Sequence, residues 1–149
     1  MEEKFKQTLR ALISGTKQYK LAWRYLSDRY YDEVEAFYNE TRETEDGPFH
    51  IAFDSAFEAV YDDLILFVTC ADVADEDDAH VGELYELRIY AYDAEQAIDL
   101  ESAILLYDSL DELYEADLKN LFALAAGSAS GVDKVMDKLI RELGEEASN

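Results

Sequence analysis

The sequence predicts an all-α fold, a compact bundle of about six or seven helices with a highly acidic surface, and three observations carry that expectation. Apolar residues recur at steps of three and four through most of the chain. Glycine and proline are scarce, six and one in 149 residues, and they fall between the periodic runs rather than inside them. The chain is 49% apolar, enough to bury a core in one domain spanning residues 1–149 without disulfides or metal.

The first run, Phe5, Leu9, Leu12 and Ile13, stops at Gly15. Trp23, Leu26, Tyr30, Val34 and Phe37 then mark a long amphipathic helix to about Thr41. "TEDGP" breaks the chain, and Gly47 and Pro48 fit a helix entry, because proline in the first turn gives up an amide that has no intrahelical partner. The helix so opened, "FHIAFDSAFEAVYDDLILFV", places Phe49, Phe53, Ala56, Phe57, Val60, Leu64 and Phe67 on one stripe. Its far side carries Asp54, Glu58 and Asp62 one turn apart, with Ile51, Ile65 and Leu66 among them. "ADVADEDDAHVG" (71–82) reads as a solvated acidic connector.

From Gly82 onward the pattern is double. Leu84, Leu87, Ala91, Ala94 and Ile98 step like a helix, while Tyr85, Leu87, Ile89 and Ala91 alternate like a strand. Helix is favoured, since 94–98 are good helix formers and a lone strand has no partner to pair with. After "DLESAILLYDSL", the segment "SLDELYEADLKNLFALAAG" offers Ser109 and Glu112 at capping-box spacing and Gly127 as a C-terminal cap. "GSASG" is a small-residue linker. The last helix, about 132–143, has Val132, Val135, Met136, Leu139 and Leu143 on one side and balanced charge on the other.

Charge divides the chain into three parts. Residues 1–42 hold 7 acids and 8 bases, and residues 119–149 hold 5 and 4, whereas residues 43–118 hold 23 acids and the single base Arg88. The whole net charge of −22 is therefore central. Such a surface opposes direct binding to nucleic acid or an anionic membrane and favours basic partners. Adaptation to high salt is the competing explanation, but it would spread acids over both ends as well.

Catalytic and metal-binding patterns are weak. His50 and His80 lie on different segments, and the one Glu/Asp-x-x-His match, Asp77 to His80, falls in the connector. Glu40 with Glu43, Glu83 with Glu86, and Glu112 with Glu115 make half of a magnesium-binding pair without the Glu-x-x-Asp partner of an all-α nucleotide hydrolase. No nucleophile motif or glycine-rich phosphate loop occurs, and the single Cys70 excludes a disulfide framework or a cysteine-rich zinc site. The expectation is a non-enzyme without catalytic, cofactor or metal residues. The chain opens "MEEKFKQ" with no signal-peptide pattern, which makes the cytoplasm the default, the host's if the protein is phage-encoded.

Carboxylates four apart on a helix lie about 6 Å apart along its axis, close enough to stand in for a row of duplex phosphates. The candidate partner-binding acids are Asp54, Glu58, Asp62 and Asp63, the dense run Asp75, Glu76, Asp77 and Asp78, then Glu83 and Glu86, and finally Asp108, Asp111, Glu112 and Glu115. For any one row, solvated faces of amphipathic helices are the competing explanation.

"FHIAFDSA" followed by "YDDLI", with His50, Ala52, Asp54, Ala56, Tyr61, Asp63 and Leu64 at the matching positions, resembles the central helix of the Ocr-type antirestriction proteins of phages. "RIY", Arg88 to Tyr90, is also similar, and the likeness spans about residues 43–115. It implies a small all-helical, cofactor-free dimer that copies duplex DNA and binds restriction–modification enzymes or related methyltransferase complexes in its place. Near-neutral ends and the lack of an acidic C-terminal run depart from that pattern.

The sequence thus points to a DNA-mimic inhibitor that fills the DNA channel of a host defence enzyme. An immunity- or antitoxin-like inhibitor of a basic nuclease is the alternative, and a magnesium-dependent all-α hydrolase the third reading. Ile51, Ile65 and Leu66 are candidate contacts for a homodimer, with full burial inside one chain as the competing outcome.

Overall fold

Between Tyr61 and Leu64 the chain turns back on itself through Asp62 and Asp63, with Asp62 in the left-handed region at φ 56°. Aspartate tolerates that conformation better than most residues. The stretch expected to be one helix is therefore a hairpin of two long strands, and the fold is mixed α/β rather than the all-α bundle the periodicity predicts. The computed structural model describes residues 2–36, 38, 40–44, 47–91, 104–109 and 112–144. Its elements are α1 (Glu2–Lys17), β1 (Arg24–Tyr25), α2 (Asp28–Glu35), β2 (Glu40–Thr44), β3 (Gly47–Tyr61), β4 (Leu64–Ala74), β5 (His80–Ala91), β6 (Leu105–Asp108), α3 (Glu112–Ser130) and α4 (Val132–Leu139), which runs on as a π-helical turn, Ile140–Gly144.

The six strands form one antiparallel sheet in the order β1-β3-β4-β5-β6, with β2 sharing with β1 the outer edge of β3. A β-bulge in β3 explains the misleading period. Asp54 is skipped in the pairing of Phe53 with Ala71 and Ser55 with Cys70, so the odd positions Phe49, Ile51 and Phe53 share a face with the even positions Ala56 and Glu58. One extra residue turns strict alternation into steps of four and three, which is also what a helix writes.

β4 adds a second ambiguity. It is the central strand, buried on both sides from Ile65 to Ala71, so its apolar run carries no alternation at all. β5 follows the alternating pattern through Tyr85, Leu87, Ile89 and Ala91, not the helical one, and the partner a lone strand lacked is β4. The rest of that expected helix, residues 92–98, lies outside the described residues.

Helices cover both sides of the sheet. On one, Leu9 and Ile13 of α1 and Tyr114, Leu118, Leu121 and Ala125 of α3 pack on Phe57, Ala59, Leu66, Val68, Leu87 and Ile89. On the other, Tyr30 and Val34 of α2 and Tyr38 pack on Ile51, Ala56, Ile65, Phe67, Leu84 and Tyr90, with Tyr30 meeting Phe67 edge-on at 5.5 Å. Trp23 ties the first layer together: its indole Nε1–H donates to Thr16 Oγ1 at 2.9 Å and its amide to Ser128 Oγ at 2.9 Å.

α1 and α3 are the expected helices, although Gly15 and Gly127 lie inside them rather than at their ends. Ser109 does not cap α3, since its hydroxyl accepts the amide of Tyr85 instead. The long helix expected through Thr41 is only the short α2, flanked by β1 and β2. Gly47, at φ 107°, begins β3 rather than a helix. Gly131, at φ 73°, makes the joint between α3 and α4.

Candidate functional site

The nominated carboxylates separate into a buried pair and an exposed group, and the strand register decides which is which. Glu58 and Glu86 lie on the α2 side of the sheet and are wholly buried, so neither can serve as a surface phosphate substitute. Glu58 Oε2 accepts from Arg24 Nε at 3.0 Å and Nη2 at 2.8 Å, while its other oxygen accepts the amide of Ser27 at the mouth of α2. This acid therefore fastens β1 and the start of α2 to the sheet.

Glu86 sits between Arg42, at 3.5 Å, and Arg88, at 3.4 Å, and Arg42 also reaches Asp108 at 3.8 Å. Burial raises the Glu86 carboxyl above the usual range, against the pull of Arg88 and Arg42. Beneath it the Tyr38 hydroxyl is hydrogen-bonded to Thr69, and burial, then the Glu86 charge, push that phenol up. Two bases of the near-neutral N-terminal part, Arg24 and Arg42, are thus spent on acids of the acidic middle.

The exposed group gathers at the end of the sheet where β4 turns into β5. Asp54 stands at the bulge, and Asp72 and Glu83 face each other across the ladder. Of the expected connector only 75–79 is a turn, and Asp75 orders it: its Oδ1 accepts the amides of Asp77 at 2.9 Å and Ala79 at 3.0 Å, and the Asp78 amide donates to the Asp75 carbonyl. Asp78 takes φ 60°, which closes the turn and leaves Glu76, Asp77 and Asp78 in solvent. Glu76 Oε1 lies within 3.3 Å of where a Cβ on Gly47 would be, so this acid reaches back over the start of β3.

Two groups register this field, the buried Cys70 and the half-buried Tyr85. The Cys70 thiol is pushed up to about 11 by burial first and then by the charges of Asp54, Glu83 and Asp72. Tyr85 is raised to about 12 by burial, with Cys70 and Glu83 adding to it. Beside them a shallow cavity of about 350 Å³ is lined by Phe49, Val81, Glu83, Tyr85, Glu115 and Lys119, among others. Glu115 of α3 therefore belongs to the same end of the molecule.

The other nominated residues do not join this group. Asp62 and Asp63 form the exposed turn at the far end of the β3–β4 hairpin, so the row Asp54, Glu58, Asp62 does not exist. Asp108 turns to Arg42. Asp111 and the side chain of Glu112 lie outside the described residues. Ile51, Ile65 and Leu66 are core residues at 2%, 0% and 1% exposure, split between the two faces of the sheet, and they offer no surface to a second copy. The sequence reading missed Asp72, whose only signal is its place opposite Glu83 once β4 and β5 are read as a hairpin.

Among the described residues no three His, Cys, Asp or Glu side chains stand where they could hold a metal ion, and no helix is long and apolar enough to cross a membrane. Comparison of the chain with family models, curated proteins and solved structures yields no match. The segment that resembles a central helix of the Ocr-type proteins is β3, its turn and the start of β4 here, so the all-helical fold that likeness implies does not hold for this chain.

Proposed function

We propose that this protein is a non-catalytic, cytoplasmic inhibitor whose acidic sheet end occupies the basic DNA-binding channel of a host defence enzyme, of the restriction–modification or related methyltransferase type. The observation that carries the reading is the sorting of the acids. Arginines engage Glu58 and Glu86 inside the fold, while Asp54, Asp72, Glu76, Asp77, Asp78 and Glu83 stand exposed at one end. Holding like charges together costs stability through repulsion, and a basic partner would relieve that cost. Asp72 and Glu83 face each other on neighbouring strands, which lie about 4.8 Å apart. The target class comes from the sequence resemblance alone.

One observation favours the second reading, an immunity-like inhibitor of a basic nuclease: the acids form a compact patch at a hairpin tip rather than a long ladder. Displacement of labelled duplex DNA from a type I restriction enzyme tests the first. The protein should compete with duplexes of unrelated sequence alike, and competition should fade steeply with salt. A nuclease inhibitor would leave the restriction enzyme's DNA in place and would instead block a basic nuclease through one or two dominant residues.

A further inference from the structure

α4 packs the wrong way round for a helix that ends its packing within one chain. Val132, Val135, Met136, Leu139, Ile140 and Leu143 are 50–66% exposed along α4 and its π-helical extension. Its polar side meets the body instead: the Tyr19 hydroxyl donates to Asp137, and the Lys134 ammonium lies 5.4 Å from the centre of the Tyr19 ring. An amphipathic helix normally does the reverse. We propose that this outward apolar face is the contact through which two copies of the chain pair, helix against helix.

Charge selects the occupant. From Val132 to Gly144 the chain carries three acids, Asp133, Asp137 and Glu142, and three bases, Lys134, Lys138 and Arg141. A surface shaped for a basic target would be acidic, and one shaped for an anionic membrane would be basic. A helix of balanced charge with an apolar seam meets its own copy without a net like-charge penalty, as a two-fold contact demands. It is also a surface on which two bodies of net charge −22 can meet without bringing their acids together. Six half-exposed apolar side chains leave on the order of 600 Å² per copy and about 1,200 Å² across a pair, the lower end of stable interfaces.

The position suits that use. Glu115 and Lys119 in the first half of α3 line the cavity beside Glu83, whereas Leu124 and Ser128 near its end line a groove with Lys134 and Asp137 of α4. The seam and the acidic end thus lie at opposite ends of α3, so pairing at α4 leaves both acidic ends free. The pairing does not depend on the target proposed above.

Sedimentation equilibrium of the full chain tests it. The wild type should run at twice its 17.0 kDa mass at micromolar concentration, and Leu139→Glu should run at the single-chain mass with an unchanged circular dichroism spectrum. Met136→Cys is the second variant, because the native Cys70 is buried and the new thiol should dominate a bis-maleimide reaction, giving a covalent dimer. A wild type that stays at single-chain mass, a Leu139→Glu variant that still pairs, or a Met136→Cys variant that yields no cross-linked dimer would each overturn the proposal. So would a single-chain species that floats with phosphatidylcholine vesicles.

Discussion

Glu58 and Asp54 are four residues apart on one strand, yet the first is a fastening of the fold and the second stands exposed in the acidic group proposed to meet a partner. Glu58 is surrounded by Arg24 and the Ser27 amide and sees no solvent. Asp54, pushed out by the bulge, joins Asp72 and Glu83 at an exposed end, where His80 lies 3.9 Å from Asp72 and Lys119 lines the cavity beside Glu83. The difference teaches that acid content alone does not mark a binding surface. Strand register and the reach of arginines from the N-terminal part decide which carboxylates remain available to a partner.

The contrast breaks most visibly at Glu58. Glu58→Ala should cost about 2–3 kcal/mol, because it strips the Ser27 amide of its acceptor and frees Arg24, which can rehydrate because it is mostly exposed. Urea unfolding monitored by tryptophan fluorescence measures this. Neutralising Asp54, Asp72, Glu76, Asp77, Asp78 and Glu83 together, as Asn or Gln, should weaken target binding on the order of 100-fold while leaving the fold at least as stable. Each single change should weaken binding only about twofold to threefold. Loss of all inhibition from one of them would mean a lock-and-key residue instead of a charged surface.

Glu86 sharpens the comparison through pH. Its carboxyl is raised in the fold, so between the ordinary carboxylate value and the raised one the native state holds a proton that the unfolded chain has released. Stability should therefore fall as pH rises above the ordinary carboxylate value, and the loss should be complete above the raised one. Glu86→Gln removes that part of the slope, which unfolding curves across pH 4 to 8 would show as a flatter profile than the wild type's. The smallest effect is at Cys70. Burial dominates its shift, so Asp54→Asn with Glu83→Gln should lower the thiol only part of the way from about 11, readable as faster alkylation at alkaline pH.

What the sequence shows about this fold follows from which signals are local. α1 and α4 are legible because each writes its own amphipathic pattern over two or more turns, and α3 because its stretch is free of proline and rich in alanine and leucine. β3 and β4 are not, since the bulge at Asp54 counterfeits a helical step and β4 is buried on both faces. The concentration of acids between residues 43 and 118 is fully legible, and so is the dense run from Asp75 to Asp78. The fate of each acid is not. The helical pattern puts Glu58 and Glu86 on open faces, but in the fold both are buried, with Arg24 and Arg42 brought beside them through long-range pairing. α4 shows the converse, for its two faces are plain in the sequence while the outward direction of the apolar one is set by Tyr19, far away in the chain.

Salt dependence tests the central claim most directly. Binding of the wild type and of the six-site neutral variant to a purified type I restriction enzyme would be measured over a range of sodium chloride, with and without competing duplex DNA. The account predicts that the logarithm of the wild-type affinity falls linearly with the logarithm of salt, that the variant's line is much flatter, and that DNA displaces both. An affinity indifferent to salt, or equal for the two proteins, would contradict it.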